Sequence, residues 1–130
     1  RIRILRDTGL LWNCNAFVQW FWEISGDPQF RKEYELLRKK QIGVCRRFFN
    51  DLAQIENLRV YPSQASFCLA RLPDHMAAPD FCLSLLKKEG IYLRDCSNKT
   101  GLNQQYVRIA ARIKKENQQI ARSIEKELLC

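Results

Sequence analysis

Hydrophobic positions along this chain follow two periods. From Phe30 onward, apolar side chains recur at Tyr34, Leu37, Val44, Phe48, Leu52 and Ile55, steps that keep them on one stripe of an α-helix. Asp27-Pro28 supplies the start, with an aspartate at the cap and a proline where its missing N–H costs nothing. The pattern predicts one long helix from about Pro28 to Ile55. Gly43 inside it costs about 1 kcal/mol relative to alanine, which predicts a bend or a local weakness there. Upstream, Trp12 to Trp22 predicts a shorter helix that Ser25-Gly26 ends. It is apolar nearly all round, which a helix tolerates only when partners cover it on several sides. A second domain or subunit is therefore expected to cover part of it, with full burial inside this small domain as the alternative.

The rest of the chain alternates short strand-like runs with helices. Leu58 to Tyr61 and Ser66 to Arg71 read as strands joined through the turn formers Pro62-Ser63-Gln64, and Leu72-Pro73-Asp74 closes the second. Ala78-Pro79-Asp80 opens a helix with Phe81, Leu85 and Leu86 toward a core, and Gly90 ends it. Gly90 to Ser97 and Gln105 to Ala110 then form two more strands, joined through Ser97 to Gly101. A last helix runs from about Lys114 to Leu128, with Ile120, Ile124 and Leu128 on one side. The order ααββαββα predicts an α+β fold: a two-layer small domain whose short, mostly antiparallel sheet is packed on one face by helices.

Two arginines carry the chemistry. In the third and fourth strands, alternation puts Ile91, Leu93, Val107 and Ile109 on one face, leaving Arg94 and Arg108 on the other with Tyr92 and Tyr106. A guanidinium is always charged and presents a planar fork of donors. Two of them projecting from one sheet face make a receptor for a carboxylate or phosphate. The competing reading is an ordinary strand arginine lying against solvent or pairing with a nearby acid.

Composition narrows the alternatives. With 130 residues, 46% hydrophobic and 28% charged, the chain is read as one globular domain with a core of its own. No apolar stretch is long enough to span a bilayer, since the densest, Ala16 to Trp22, is short and broken by Gln19. The sequence begins at Arg1 without an initiating methionine, and a fragment of a longer chain is expected. Cys14, Cys45, Cys68, Cys82, Cys96 and Cys130 form no close pair, so neither zinc nor dithiol redox chemistry is supported. Dispersed cysteines of this kind are expected to be buried small hydrophobes in a cytoplasmic protein. The formal charge of +8 raises a nucleic-acid reading, but the basic residues interleave with glutamate along helices, as on solvated faces. The lone His75 falls in a Pro/Asp-rich turn and is expected to be exposed.

Several segments, in order, resemble the C-terminal small domain of fold-type I pyridoxal-phosphate-dependent aminotransferases of class I/II. The likeness is greatest to the branch of histidinol-phosphate aminotransferase and threonine-phosphate decarboxylase. Trp12-Asn-Cys-Asn15 is similar to that branch's Trp-x-Val-Asn entry, and Val60-Tyr-Pro-Ser63 with Ser66-Phe67 to its V-x-P-S-x-A-N-F hairpin. Gly90 to Ser97 resembles its G-I-x-x-R-D-C/S strand, and Tyr106-Val-Arg-Ile109 with Glu116-Asn117 its Y-x-R-I…E-N ending. Cys14 stands in place of a small aliphatic residue, and Ser66 in place of the asparagine before phenylalanine.

The resemblance implies that Arg108 clamps the α-carboxylate of an amino-acid substrate and that Arg94 is its companion toward a phosphate or second anionic group. It implies pyridoxal phosphate as cofactor, bound by a large domain. The family's cofactor lysine lies in an S-x-S-K motif, and nothing in residues 1 to 130 matches it or the aspartate segment that faces the pyridine nitrogen. The fragment alone is therefore expected to be inactive, with no catalytic or cofactor-binding residue of its own. Expected partners are an amino acid or 2-oxo acid, the chain's own large domain and a second subunit in a homodimer, with no nucleic acid or membrane. The expected reaction is amino-group transfer between an amino acid and a 2-oxo acid, with decarboxylation of an amino-acid phosphate as the alternative. A different class of function, a basic module binding RNA through stacked Tyr92 and Tyr106, lacks the usual sheet signature.

Overall fold

The computed structural model describes residues 15–129. Two compact units divide between Lys39 and Lys40, inside one continuous helix.

In the first unit, helix α1 spans Ala16–Ile24. Asn15 caps it by accepting the Val18 N–H at 3.0 Å, and the chain leaves it at Ser25, where the sequence places the stop. Trp12 and Cys14, the first part of the predicted helix, lie outside the described residues. Helix α2 spans Pro28–Ala53, with Asp27 accepting the Phe30 N–H at 2.8 Å. It runs through Gly43 as unbroken helix and stops two residues short of the predicted Ile55, where Gln54 and Ile55 close a tighter turn onto Asp51 and Leu52. None of the residues of α1 is buried, and Phe17 is 81% and Trp22 66% exposed. The proposed apolar stripe of α2 is likewise uneven: Tyr34 and Leu37 are exposed, whereas Phe48 and Leu52 are buried.

The second unit holds the sheet. Strands β1 (Arg59–Val60), β2 (Phe67–Arg71), β3 (Arg94–Asp95) and β4 (Tyr106–Ala110) are antiparallel and lie in the order β1-β2-β4-β3. Helix α3 (Ala78–Glu89) connects β2 to β3, and α4 (Lys114–Leu128) follows β4. This is the α+β arrangement the sequence predicts, with short strands at both edges.

Alternation explains the core. Cys68, Ala70, Val107 and Ile109 turn to one face, where they meet Phe48 and Leu52 of α2, Phe81 and Leu85 of α3 and Ile124 of α4, all buried in one cluster. Leu86 was expected in that core but is exposed, and Cys82, one turn away on α3, is buried. Helices α3 and α4 are tied at their ends: Glu127 accepts from Ser84 Oγ and from Lys88 Nζ, and Lys126 pairs with Glu89 at 3.0 Å. The four described cysteines are buried free thiols. Burial pushes the Cys68 thiol up to about 12, and burial with the nearby Asp95 charge pushes Cys82 up to about 11, so both stay protonated and unreactive at neutral pH. Cys14 and Cys130 lie outside the described residues.

Candidate functional site

The site is built from the sheet face opposite the helices. Once the apolar members of each strand turn inward, the same alternation leaves Phe67, Leu69 and Arg71 of β2 and Tyr106 and Arg108 of β4 on the outer face. Cross-strand register then decides which of these meet. Arg94 lies directly opposite Arg108, Leu69 lies opposite Arg108 on the other side, and Arg71 lies opposite Tyr106. The two sequence-predicted arginines are thus side by side on one face.

Neither makes an ion pair among the described residues. The neighbouring acid, Asp95, is engaged locally, accepting the Ser97 N–H and hydroxyl at 2.8 Å each. Arg108 is half-buried, and its guanidinium lies over the Phe67 ring, 4.8 Å from the centroid. That contact steadies the side chain while leaving its N–H fork free of any acid. Arg94 is exposed. A planar guanidinium fork of this kind can hold a carboxylate or phosphate in a bidentate grip, and the exposed Arg94 lies directly beside it.

The tyrosines divide. Tyr106 faces Tyr61, with rings stacked 6.0 Å apart and hydroxyls 3.4 Å apart. The hydrogen bond to Tyr61 holds the Tyr106 phenol above its ordinary range. Tyr92, by contrast, is 75% exposed and stands before β3 rather than in it. The predicted strand from Gly90 is shorter because Gly90 takes the left-handed cap of α3 at φ 65° and Ile91 N–H is spent on Leu85 C=O. Tyr92 instead lines a cleft of about 300 Å³ with Ala110, Arg112 and Glu116. The two rings a base-stacking sheet would use are therefore not a pair.

Arg59, Arg71 and Tyr61 escape the sequence reading, although both of their strands are predicted. The signal that finds them is register, because Arg59 lies opposite Arg71 and both belong to the outer face. His75 is exposed in its turn.

The end of β4 is fixed by Asn117. Its buried side-chain amide accepts the Arg112 N–H at 2.6 Å and donates to the Arg112 C=O at 3.0 Å, closing the turn into α4. Asn117→Ala is expected to orphan both backbone groups and to cost about 2 kcal/mol, read as a lower urea midpoint at unchanged slope. Asn117→Asp, which keeps the acceptor and loses the donor, should fall between the two.

The lysines of the chain lie on helices or in the β3–β4 loop, and all are exposed. Among the described residues, the strands of the outer face carry no lysine as a covalent anchor for pyridoxal phosphate, and the one carboxylate at this face, Asp74, is paired with Arg71. These residues do not fit the role of holding that cofactor. They fit the role of holding an anion.

Comparison with known proteins agrees with the fold and the motif order. Residues 4–124 match the model of the family described as aminotransferase class I and II, and the chain belongs to that family. Pyridoxal phosphate is the cofactor of this family. The chain is 37% identical to the L-serine phosphate decarboxylase of Campylobacter jejuni over 95% of its own length and 32% of that protein's. It is 40% identical to the histidinol-phosphate aminotransferase of Methanococcus aeolicus over 48% of its length and 16% of that protein's. Among solved structures, it is similar to a decarboxylase from Sulfurospirillum multivorans with a TM-score of 0.89 and 35% identity, covering 98% of this chain and 36% of that one. The chain spans about a third of the length of the curated relatives it matches first. Among the described residues, no helix is long and apolar enough to cross a membrane.

Proposed function

We propose that this chain is the substrate-binding small domain of a pyridoxal-phosphate-dependent decarboxylase acting on a phosphorylated amino acid such as L-serine phosphate, with the cofactor held by a large domain. The observation that carries the proposal is the pair Arg94 and Arg108, opposite each other on one sheet face and without an acid partner among the described residues. Support for decarboxylation over the amino-group transfer expected from sequence comes from the two relatives named L-serine phosphate decarboxylase, 37% and 35% identical over 95% and 96% of the chain. The second reading, an aminotransferase, keeps the support of the histidinol-phosphate aminotransferases that match shorter parts of the chain.

In this reading Arg108 binds the α-carboxylate through two parallel N–H donors and Arg94 binds the phosphate. The bound cofactor supplies the electron sink for the bond that breaks. What the arginine face would contribute is orientation: gripping the substrate at two anionic points, it would fix the rotation about the bonds to Cα and so which of them is set to break. For decarboxylation that bond is Cα–COO⁻, and a proton replaces the departing carbon dioxide at Cα. The exposed aromatic residues of α1 favour a covering large domain or a second subunit, and the scattered buried thiols favour a cytoplasmic enzyme.

The test is product analysis with the full-length protein, pyridoxal phosphate and L-serine phosphate. Release of carbon dioxide with formation of 2-aminoethyl phosphate, and no requirement for a 2-oxo acid, is the expected result. Turnover that depends on an added 2-oxo acid and yields no carbon dioxide would transfer the protein to the aminotransferase reading.

A further inference from the structure

Two cross-strand pairs on the outer sheet face set arginine against arginine: Arg94 opposite Arg108, and Arg59 opposite Arg71. Like charges placed directly opposite destabilise a sheet, so each such pair calls for an anion. Among the described residues only Arg71 meets one, Asp74, whose side chain is itself 82% exposed. Arg59 is exposed and meets an aromatic ring, with its guanidinium 5.1 Å from the Tyr61 centroid. A ring contact steadies a cation without neutralising it. With Asp74 set against Arg71, the second pair therefore keeps a net charge of about one positive unit, carried by Arg59.

Its position relates it to the first. Leu69 faces Arg108 and Arg71 faces Tyr106, so Arg71 lies two residues along β2 from the row of the first pair, about 7 Å away. Between the pairs the face carries Leu69 and the stacked Tyr61 and Tyr106, with no carboxylate among its strand residues. Apart from Asp74 at Arg71 itself, an anion moving from the outer pair to the inner one meets no carboxylate of β2 or β4.

We infer that Arg59 and Arg71 form an outer docking pair for the phosphate of the substrate, which draws the dianion onto the sheet face and raises its occupancy at Arg94 and Arg108. This rests on the reading of the face as a site for a phosphorylated amino acid, and it adds residues that contact the substrate before the productive complex forms. A phosphate monoester carries close to two negative charges at neutral pH. Separations of about 7 to 15 Å are comparable to the screening length of about 10 Å at 0.1 M salt, so the effect is strong in dilute buffer and weak in concentrated salt.

The test uses the full-length holoenzyme with L-serine phosphate and compares the Arg59→Gln/Arg71→Gln double variant with the parent. KM is expected to rise about tenfold at about 0.02 M salt, with the gap closing by about 0.5 M and kcat at saturation unaltered. The Arg59→Lys/Arg71→Lys variant keeps both charges and should keep the low KM. An unchanged KM at low salt overturns the inference, as does an increase of equal size at every salt concentration or an equal defect in the lysine variant. The single Arg59→Gln variant, which leaves the Asp74 contact intact, should show a smaller increase with the same salt dependence. Arg108→Ala separates the two levels. If it impairs binding while the outer pair does not, only the inference falls; if it has no effect, the reading of the face as a substrate site falls with it.

Discussion

Arg108→Ala in the full-length protein is expected to raise the KM for the phosphorylated amino acid by at least about a hundredfold, while the absorbance of the bound cofactor stays normal. The size follows from the contact proposed. Hydrogen bonds to charged groups contribute roughly 1.5 to 3 kcal/mol each, and a bidentate grip makes two. A loss of about 3 kcal/mol corresponds to somewhat more than a hundredfold in binding. Arg108→Lys should recover only part of it, because an ammonium on a flexible stem cannot reproduce the planar fork or its placement over Phe67. Kinetics unchanged by Arg108→Ala would remove this residue from the site.

Phe48→Ala should produce the largest loss of stability. Phe48 is 2% exposed, sits in the cluster beneath the sheet and packs against Phe49 with ring centroids 5.9 Å apart. Removing a buried aromatic ring costs about 3 to 5 kcal/mol, a sum of lost transfer free energy and the cavity left behind. Phe17→Ala is the matched comparison, the same chemical change at a side chain that is 81% exposed. In the 130-residue chain it should shift unfolding by no more than about 0.5 kcal/mol. Urea unfolding of the two variants reads both outcomes, and a large loss for Phe17→Ala would show that α1 is packed in solution.

The parts of this fold that a period can express were legible. Helices α2 and α3 begin where Asp27-Pro28 and Ala78-Pro79 predict, since caps and prolines act within one turn of the chain, and α4 begins at the predicted Lys114 without a capping side chain. Strand alternation put Arg94 and Arg108 on the outer face. What alternation cannot supply is register, a property of two strands at once, and so the facing of Arg59 and Arg71 emerges only when their two predicted strands are paired. Local competition for backbone groups explains Tyr92: the left-handed turn at Gly90 draws the following residues into the end of α3 and delays the strand. Leu86 shows the limit of hydrophobicity as a guide to burial: it is exposed, while the smaller Cys82 one turn earlier is buried.

The two outermost strands, β1 and β3, are each only two residues long, and each begins with an arginine. Their unpaired backbone groups offer a passing polypeptide almost no template, and the flanking charge repels a like strand. Self-association of this chain through its sheet is thereby suppressed at both margins. Any clumping of an isolated preparation should instead begin at the tryptophans and phenylalanines of α1, and substitution of Trp20 and Trp22 by glutamine should relieve it.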